Sequence, residues 1–485
     1  MEYEPVIGLE VHAQLKTETK AFCGCSTRYG APSNTQVCPV CLGLPGALPV
    51  LNERAVEFAL RAALALNCRT NRRSIFARKN YFYPDLSKGY QISQYDKPLA
   101  EEGYIEVPDD EKEPGKSAAK VGIIRVHLEE DAGKLYHLGA VDSAFGALVD
   151  FNRGGIPLIE IVSKPEISSP KQGALYLKTL RQILRYLGVC DGNLEEGSLR
   201  CDVNISIRRK GETELGTKVE VKNINSFRFV ERALEYEFER QVKAAQNGDK
   251  IVQETRLWDA GAQETRVMRT KEEAHDYRYF PEPDLLPLEL SDEYVNRIKE
   301  SLVEMPLERA RRFAKRYGLP HYDAGVLTAE KEIADYFESA VKAYNEPKKI
   351  SNWIMTELLR ELKSDEKEIS KCPVSPENLA RLVKKIDDGE ISGKQGKEII
   401  VEMYREGKPP EEIIEKKGLR QMSNAGEIEE VIAKIVATHP KEAEEYRGGK
   451  SKLLGFFVGE VMKETKGEAN PKIVNDLLKK LLGRK

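Results

Sequence analysis

Nowhere in this 485-residue sequence does an apolar run approach the length of a membrane span, and 32% of the residues are charged. A transmembrane role is therefore not expected. The opening MEYEPVIGLEVHAQL lacks the basic segment and apolar stretch of a secretory signal, so a cytoplasmic location is expected. Strong charge of one sign is missing too: the formal net charge of -3 says little about partners. Its distribution says more. From Arg447 to Lys485 there are ten Lys or Arg against four Asp or Glu, a tail suited to a polyanion. Fixed-period repeats and low-complexity segments are absent. So are the glycine motifs that cradle phosphates. No GxxxxGK[ST] occurs, GETELGTK having Thr and Lys in the wrong order, and no GxGxxG follows an expected strand. Any ATP must then be held on an open sheet face by metal and Arg or Lys, not by a glycine loop at a helix N-terminus.

What is present divides into two textures. Up to about Pro287, short alternating apolar segments mix with Gly, Pro and aromatics, with one helical interruption, SPKQGALYLKTLRQILRYLGV, at 169–189. That pattern reads as an α+β body. Beyond YFPEPDLLPLEL the text becomes Lys/Glu-rich and helical, with SPENLARLVKKIDDGEIS and NPKIVNDLLKKLLGRK starting after Ser-Pro and Asn-Pro. NEPKK near 345 and REGKPPEE near 405 are candidate hinges.

Strands alternate their side chains between two faces, so each segment sorts by parity. In GLEVHAQL the apolar set is Leu9, Val11, Ala13 and Leu15, opposite Glu10, His12 and Gln14. In SLRCDVNISIRR it is Leu199, Cys201, Val203, Ile205 and Ile207, opposite Arg200, Asp202, Asn204, Ser206 and Arg208. In TKVEVKN, Val219 and Val221 oppose Lys218, Glu220 and Lys222. A single wet sheet face is ordinary. Here, however, Glu10, His12, Asp202 and Glu220, joined by Glu130 of HLEED and Glu160 of IPLIEIV, supply the oxygen-rich set that Mg²⁺ prefers, with one histidine. Carboxylates packed on one face repel unless metal, Lys or Arg offsets them. In RVHLEEDAGK, Ile124, Val126 and Leu128 form the apolar set and Glu129 shares a face with His127. Glu130 joins the polar face only if the strand ends there and the DAG turn frees it with Asp131. Parity leaves Glu129 or Glu130 open.

FCGCSTRYGAPSNTQVCPVC carries Cys23, Cys25, Cys38 and Cys41, two close pairs joined by a Gly/Pro/Asn-rich loop. This is the pattern of a closed tetrahedral zinc site that holds a loop and has no open position for catalysis. Cys68, Cys190, Cys201 and Cys372 are scattered and read as core thiols. FARKNYFYPDLSKGYQISQYDKP interleaves Arg78, Lys79 and Lys88 with aromatics. It suits base stacking, packing on its own domain, or a polar passage lined by Lys79, Tyr81 and Lys88.

VIGLEVHAQL, LGLPGALPVLN, RKNYFYPDLSKGYQISQYDKPL, HLEEDAGK, DFNRGGIPLIEIVSKPEI, EEGSLRCDVNISI, VEVKNINSFRFV and DYRYFPEPDLLPL resemble, nearly end to end, the GatB family of aspartyl/glutamyl-tRNA(Asn/Gln) amidotransferase subunits. SNWIMTELL, KGLRQMS and GFFVGEVMKETKGEANP continue the likeness. The resemblance implies a glutamine-synthetase-like antiparallel cradle at 1–292, an all-α domain at 293–405 and a YqeY-like tRNA-binding tail at 406–485. It also implies ATP-dependent conversion of Glu-tRNA(Gln), Asp-tRNA(Asn) or both through a side-chain acyl phosphate attacked by ammonia. His12, Glu130 and Glu160 match the implied Mg²⁺ positions, with Glu10 and Asp202 as further candidates, which favours Glu130 over Glu129. Arg200, Asn204 and Lys222 are the candidates for nucleotide or acyl phosphate, and Arg200 and Lys222 join His12, Glu130 and Glu160 as implied catalytic groups. Lys79, Tyr81 and Lys88 match the mouth of an ammonia channel. No GGSSG-type amidase signature occurs, so ammonia is expected to come from elsewhere; the resemblance implies a separate amidase partner that makes it and a small third partner that completes a heterotrimer. The rival readings are a non-catalytic tRNA-binding scaffold and a free-standing ligase acting on a small amino acid.

Overall fold

The alternating amino-terminal segment forms the strand Tyr3–Gln14, with Leu9, Val11 and Ala13 buried, and it runs through the middle of a nine-stranded sheet. The computed structural model describes residues 2–138, 146–270, 276–418, 425–465, 469 and 471–483. Most of KGLRQMS lies outside the described residues. From edge to edge the sheet runs Glu264–Thr270, Glu254–Asp259, Val219–Ile224, Leu199–Arg209, Tyr3–Gln14, Pro157–Ser163, Ala118–Glu130, Ala100–Pro108 and Arg69–Thr70. Every neighbouring pair is antiparallel except Val219–Ile224 with Glu254–Asp259.

Helices Glu53–Ala65, Pro170–Tyr186 and Phe227–Asn247 cover one side, where Leu60, Leu180 and Leu234 share a core with Leu9, Val11 and Val203. Their starts follow the capping rule. Ser169 accepts from the Gln172 N–H and Ser226 from the Phe229 N–H, satisfying donors that the first helical turn leaves orphaned. With one side sealed by helices, the other carries the polar set read from parity.

That parity fails at one point. Arg125 pairs with Val162 but Ile123 pairs with Ser163, so Ile124 is an extra residue in a β-bulge. Ile124 is consequently 44% exposed on the open side, while Ile123 is fully buried and takes the core place expected of Ile124.

Two units divide the chain, Met1–Arg311 and Arg312–Lys485. The first runs on past residue 292, because helix Asp292–Glu300 buries Val295 and Ile298 in the sheet's own core. The second is helical throughout its described residues apart from short links. Ser375 caps Pro376–Asp387, and Ser392 with Gln395 forms a capping box on Gly393–Glu406. At REGKPPEE, Gly407 closes that helix in the left-handed region with φ 67° and Pro410 opens the next. Ile428, Ile432, Phe457, Val461, Val474 and Leu478 form a separate core in the tail. No described helix is long and apolar enough to cross a membrane.

Candidate active site

Register places four ionisable residues in a row across four adjacent strands of the open face. His127 lies opposite Glu160, Glu160 opposite His12, and His12 opposite Arg200. One step along, Glu10 lies opposite Asp202. His12 Nε2 is 3.3 Å from Glu160, 3.6 Å from Glu129 and 3.8 Å from Glu10. His127 Nε2 approaches Glu160 at 3.5 Å and Glu129 at 3.7 Å. Cations ring the group: Arg125 is 3.6 Å from Glu160, and Lys222 is 2.7 Å from Asp202 and 3.3 Å from Glu220.

The electrostatics follow from this crowding. Burial works against a charged His12, but its hydrogen bond to Glu160 and the charges of Glu129 and Glu160 outweigh that and raise it to about 9. Burial pushes Glu160 up, yet His127, His12 and Arg125 hold it well below the usual carboxylate range. Glu10 moves the other way, raised by burial and by the neighbouring Glu160 charge. The imidazoles and Arg125 thus hold Glu160 ionised, while Glu10, beside it, carries the unfavourable share of the crowding.

Two donor sets share the imidazole: His12 with Glu129 and Glu160, and His12 with Glu10 and Asp202, each with ligand atoms within 4.8 Å of one another. Carboxylate oxygens with one imidazole fit a hard divalent cation. Beside them, the Nε atoms of Arg125 and Arg200 are buried without a hydrogen-bond partner among the described residues. Guanidinium donors left unpaired next to a cation site suit an anion such as a phosphate.

Glu130 is not in this group, contrary to the expectation from resemblance. The strand continues through Glu130, which keeps the parity of Leu128 and turns away from His12. Its carboxylate pairs with Lys88 and accepts the Ile92 N–H at 2.9 Å. Glu129 stands at His12 instead. Asp131 does not swing free: it is buried, accepting from Gln14 at 2.7 Å and from Arg200 at 2.8 Å. Of the other nucleotide candidates, Lys222 is held by Asp202, and Asn204 lies opposite Gly8 with a buried Oδ1 that finds no partner among the described residues.

The cysteine loop converges. Sγ atoms of Cys23, Cys25, Cys38 and Cys41 lie within 4.8 Å of one another. Cys38 and Cys41 are 3.9 Å apart, near the ~3.8 Å edge of a tetrahedron with ~2.3 Å Zn–S bonds. Hydrogen bonding from Cys23, with the Cys38 N–H and the buried Lys20 ammonium adding to it, lowers Cys41 to about 4 despite its burial. A ready thiolate among three thiols fits zinc. Lys88, Glu130, Cys41 and Gly155 line a cavity of about 200 Å³ next to this loop. Lys79 and Tyr81 are not in that lining. Lys79 sits over the Tyr277 ring at 4.7 Å, and Tyr81 packs edge-on against Tyr277.

Residues 5–296 match the family described as the GatB/GatE catalytic domain, and residues 335–482 match the GatB domain. The chain is 57% identical over 482 residues to the B subunit of the aspartyl/glutamyl-tRNA(Asn/Gln) amidotransferase of Thermodesulfovibrio yellowstonii, covering 99% of this chain and 100% of that one. Identity is 56% over 483 residues to the corresponding protein of Persephonella marina, covering 99% and 100%, and 53% to that of Carboxydothermus hydrogenoformans, covering 100% and 99%. The chain belongs to the GatB family.

Family membership covers the whole chain, and both units are included in it. Within this GatB chain, parity singled out His12, Glu10, Asp202, Arg200 and Lys222, and the structure brings them together with Glu160, the carboxylate added from IPLIEIV. Parity put His127 on the face of Glu129 without making it a candidate, and missed Arg125. The signal was present, because both share the parity of Glu129 in RVHLEE. Tyr279 had no such signal. It reaches the group from 119 residues beyond Glu160, and burial with the charges of Glu160 and Glu129 raises its hydroxyl above the ordinary range.

Proposed function

We propose that this chain uses ATP to activate the side-chain carboxylate of glutamate misacylated on tRNA(Gln), of aspartate misacylated on tRNA(Asn), or of both, and passes the acyl phosphate to ammonia. The observation that carries the reading is the join of a carboxylate–imidazole cluster with two buried guanidinium nitrogens that have no hydrogen-bond partner among the described residues, on an open antiparallel face. The names of the relatives supply the substrate class. A carboxylate is a poor electrophile for ammonia. Its oxygen attacks the γ-phosphorus and ADP leaves. Ammonia nitrogen then attacks the carbonyl carbon, the C–O bond to phosphate breaks, and inorganic phosphate departs as the nitrogen gives up a proton.

Phosphoryl transfer asks mainly for positioning and charge neutralisation. Arg125 and Arg200 would donate to phosphate oxygens, and Lys222 would supply a further positive charge from beside Asp202. Mg²⁺ held by His12, Glu129 and Glu160, with a second site at Glu10 and Asp202, would neutralise the β- and γ-oxygens when bound. Glu129 takes the ligand role that resemblance assigned to Glu130. The cavity beside Lys88 and Glu130 suits the last stretch of an ammonia path, with Lys79 and Tyr81 at a separate point along it. Zinc on the four cysteines would hold the loop that walls this cavity. A cytoplasmic heterotrimer with an amidase and a small third partner completes the reading, the cradle being of the glutamine-synthetase kind and the tail a YqeY-like contact for tRNA.

Hydroxylamine in place of ammonia tests the intermediate. The assembled complex given ATP and Glu-tRNA(Gln) should yield a γ-hydroxamate on the tRNA-linked residue. Tight tRNA binding with no hydroxamate and no ADP would instead make this chain a scaffold.

A further inference from the structure

Lys20 is fully buried, far from the carboxylate–imidazole face. Lysine almost never goes so deep without a negative partner, because an unpaired ammonium gives up its hydration for nothing in return. Yet no carboxylate pairs with this one among the described residues. Its Nζ donates to the Phe151 carbonyl at 3.1 Å and to Cys41 Sγ at 3.6 Å. A carbonyl dipole and a neutral thiol would leave the charge uncompensated. A sulfur that carries negative charge completes the pair.

The surroundings hold the ammonium in this place. The Lys20 N–H donates to the Cys25 carbonyl at 2.9 Å, so the main chain of the same residue closes the start of the cysteine loop. Its stem runs past Gly155, where an added Cβ would stand 3.3 Å from Lys20 Cδ and 3.5 Å from Cys41 Cβ. Gly155 also has φ 85°, a left-handed value that favours glycine. Phe151 and Gly155 belong to the turn that leads into Pro157–Ser163, the strand of Glu160. Lys20 therefore sits between the four cysteines and that turn.

Zinc held by four thiolates makes a doubly negative group. The Cys38 N–H, 3.2 Å from Cys41 Sγ, offsets a little of that charge, and an ammonium offsets one full unit. We infer that Lys20 is the counter-ion of a zinc tetrathiolate centre, a positioning residue that sets the affinity of the site and ties it to the turn before the Glu160 strand. The inference rests on the zinc reading of the four cysteines and adds the group outside them that favours the loaded state. A packing residue would support the loaded and the empty loop alike. A counter-ion acts mainly on the loaded one, where the negative charge is greatest.

The test strips the full chain of metal, titrates it with Zn²⁺ against a chromophoric chelator, and melts the zinc-free and zinc-loaded forms. Lys20→Met keeps the length of the stem and removes the charge. It should lower zinc affinity by about 10- to 100-fold, while its zinc-free melting midpoint matches that of the zinc-free wild type. Lys20→Gln carries the same expectation if the methionine variant does not fold. Arg28→Met removes a charge from the same loop at an exposed position and should change the affinity by less than about twofold. Equal zinc affinity in the Lys20 variants and the wild type would overturn the counter-ion and leave the zinc reading intact. So would a loss for Arg28→Met as large as that for Lys20→Met, or a zinc-free midpoint that falls as far as the loaded one. A wild-type chain that takes up no zinc would overturn both.

Discussion

Glu129 and Glu130 are neighbours in sequence with opposite assignments, and exchanging each for glutamine separates them. Glu129 Oε1 lies 3.6 Å from His12 Nε2 within the cation donor set. A unit charge pair at about 4 Å is worth roughly 4 kcal/mol at an effective dielectric constant near 20. If water and the amide dipole recover about half, Glu129→Gln loses about 2 kcal/mol of cation affinity, roughly 30-fold in the Mg²⁺ midpoint for ATP cleavage. Glu130→Gln leaves that midpoint unchanged and acts on stability. It strands the Lys88 ammonium, whose side chain is 11% exposed, against a neutral partner. Removing one partner of a buried ion pair costs about 3–5 kcal/mol. In a unit of this size that lowers the melting midpoint by roughly 5–10 °C. Lys88→Met combined with Glu130→Gln should recover part of that loss. Mg²⁺ titration of ATP cleavage and thermal melts of the assembled complex measure both. A large shift in the Mg²⁺ midpoint for Glu130→Gln, with none for Glu129→Gln, would refute the two-face assignment.

The bulge gives a second contrast: Ile123→Ala should cost about 2–5 kcal/mol in urea unfolding and Ile124→Ala less than about 0.5. Cys41→Ala should abolish zinc retention measured by metal analysis and expose the 23–41 loop to limited proteolysis, whereas Cys372→Ala should leave zinc content unchanged. Ser169→Ala removes the cap on Gln172 and should destabilise the first unit by about 1 kcal/mol, read by the same unfolding assay.

Period-two alternation is why so much of the open face was legible: Leu9, Val11, Ala13, Cys201 and Val203 go to the core, and that alone sends Glu10, His12, Arg200 and Asp202 to the other side. Helix starts were legible at Ser169 and Ser375 because a cap is a local event. Two things were not. The bulge at Ile124 depends on how the strand registers with Val162 and Ser163, which no local pattern encodes. Continuation of the strand through Glu130 depends on its pairing with Pro157 and on the Ile92 N–H and Lys88 that receive the carboxylate. Resemblance pointed to Glu130, whereas the structure puts Glu129, which parity had kept open, beside His12. The reach of the first unit past 292 was hidden for a related reason, since helix Asp292–Glu300 reads like the helices after it and differs only in the core it joins.

The central claim is that this face phosphorylates an acyl group carried on tRNA. The most direct measurement is ADP formation by the chain assembled with its amidase and small partners, without tRNA and with Glu-tRNA(Gln) or Asp-tRNA(Asn), for the native chain and for Glu160→Gln. The expected result is cleavage that requires a misacylated tRNA and falls by two orders of magnitude or more, roughly 3 kcal/mol, in the variant. Cleavage indifferent to tRNA, or unchanged by Glu160→Gln, would contradict it.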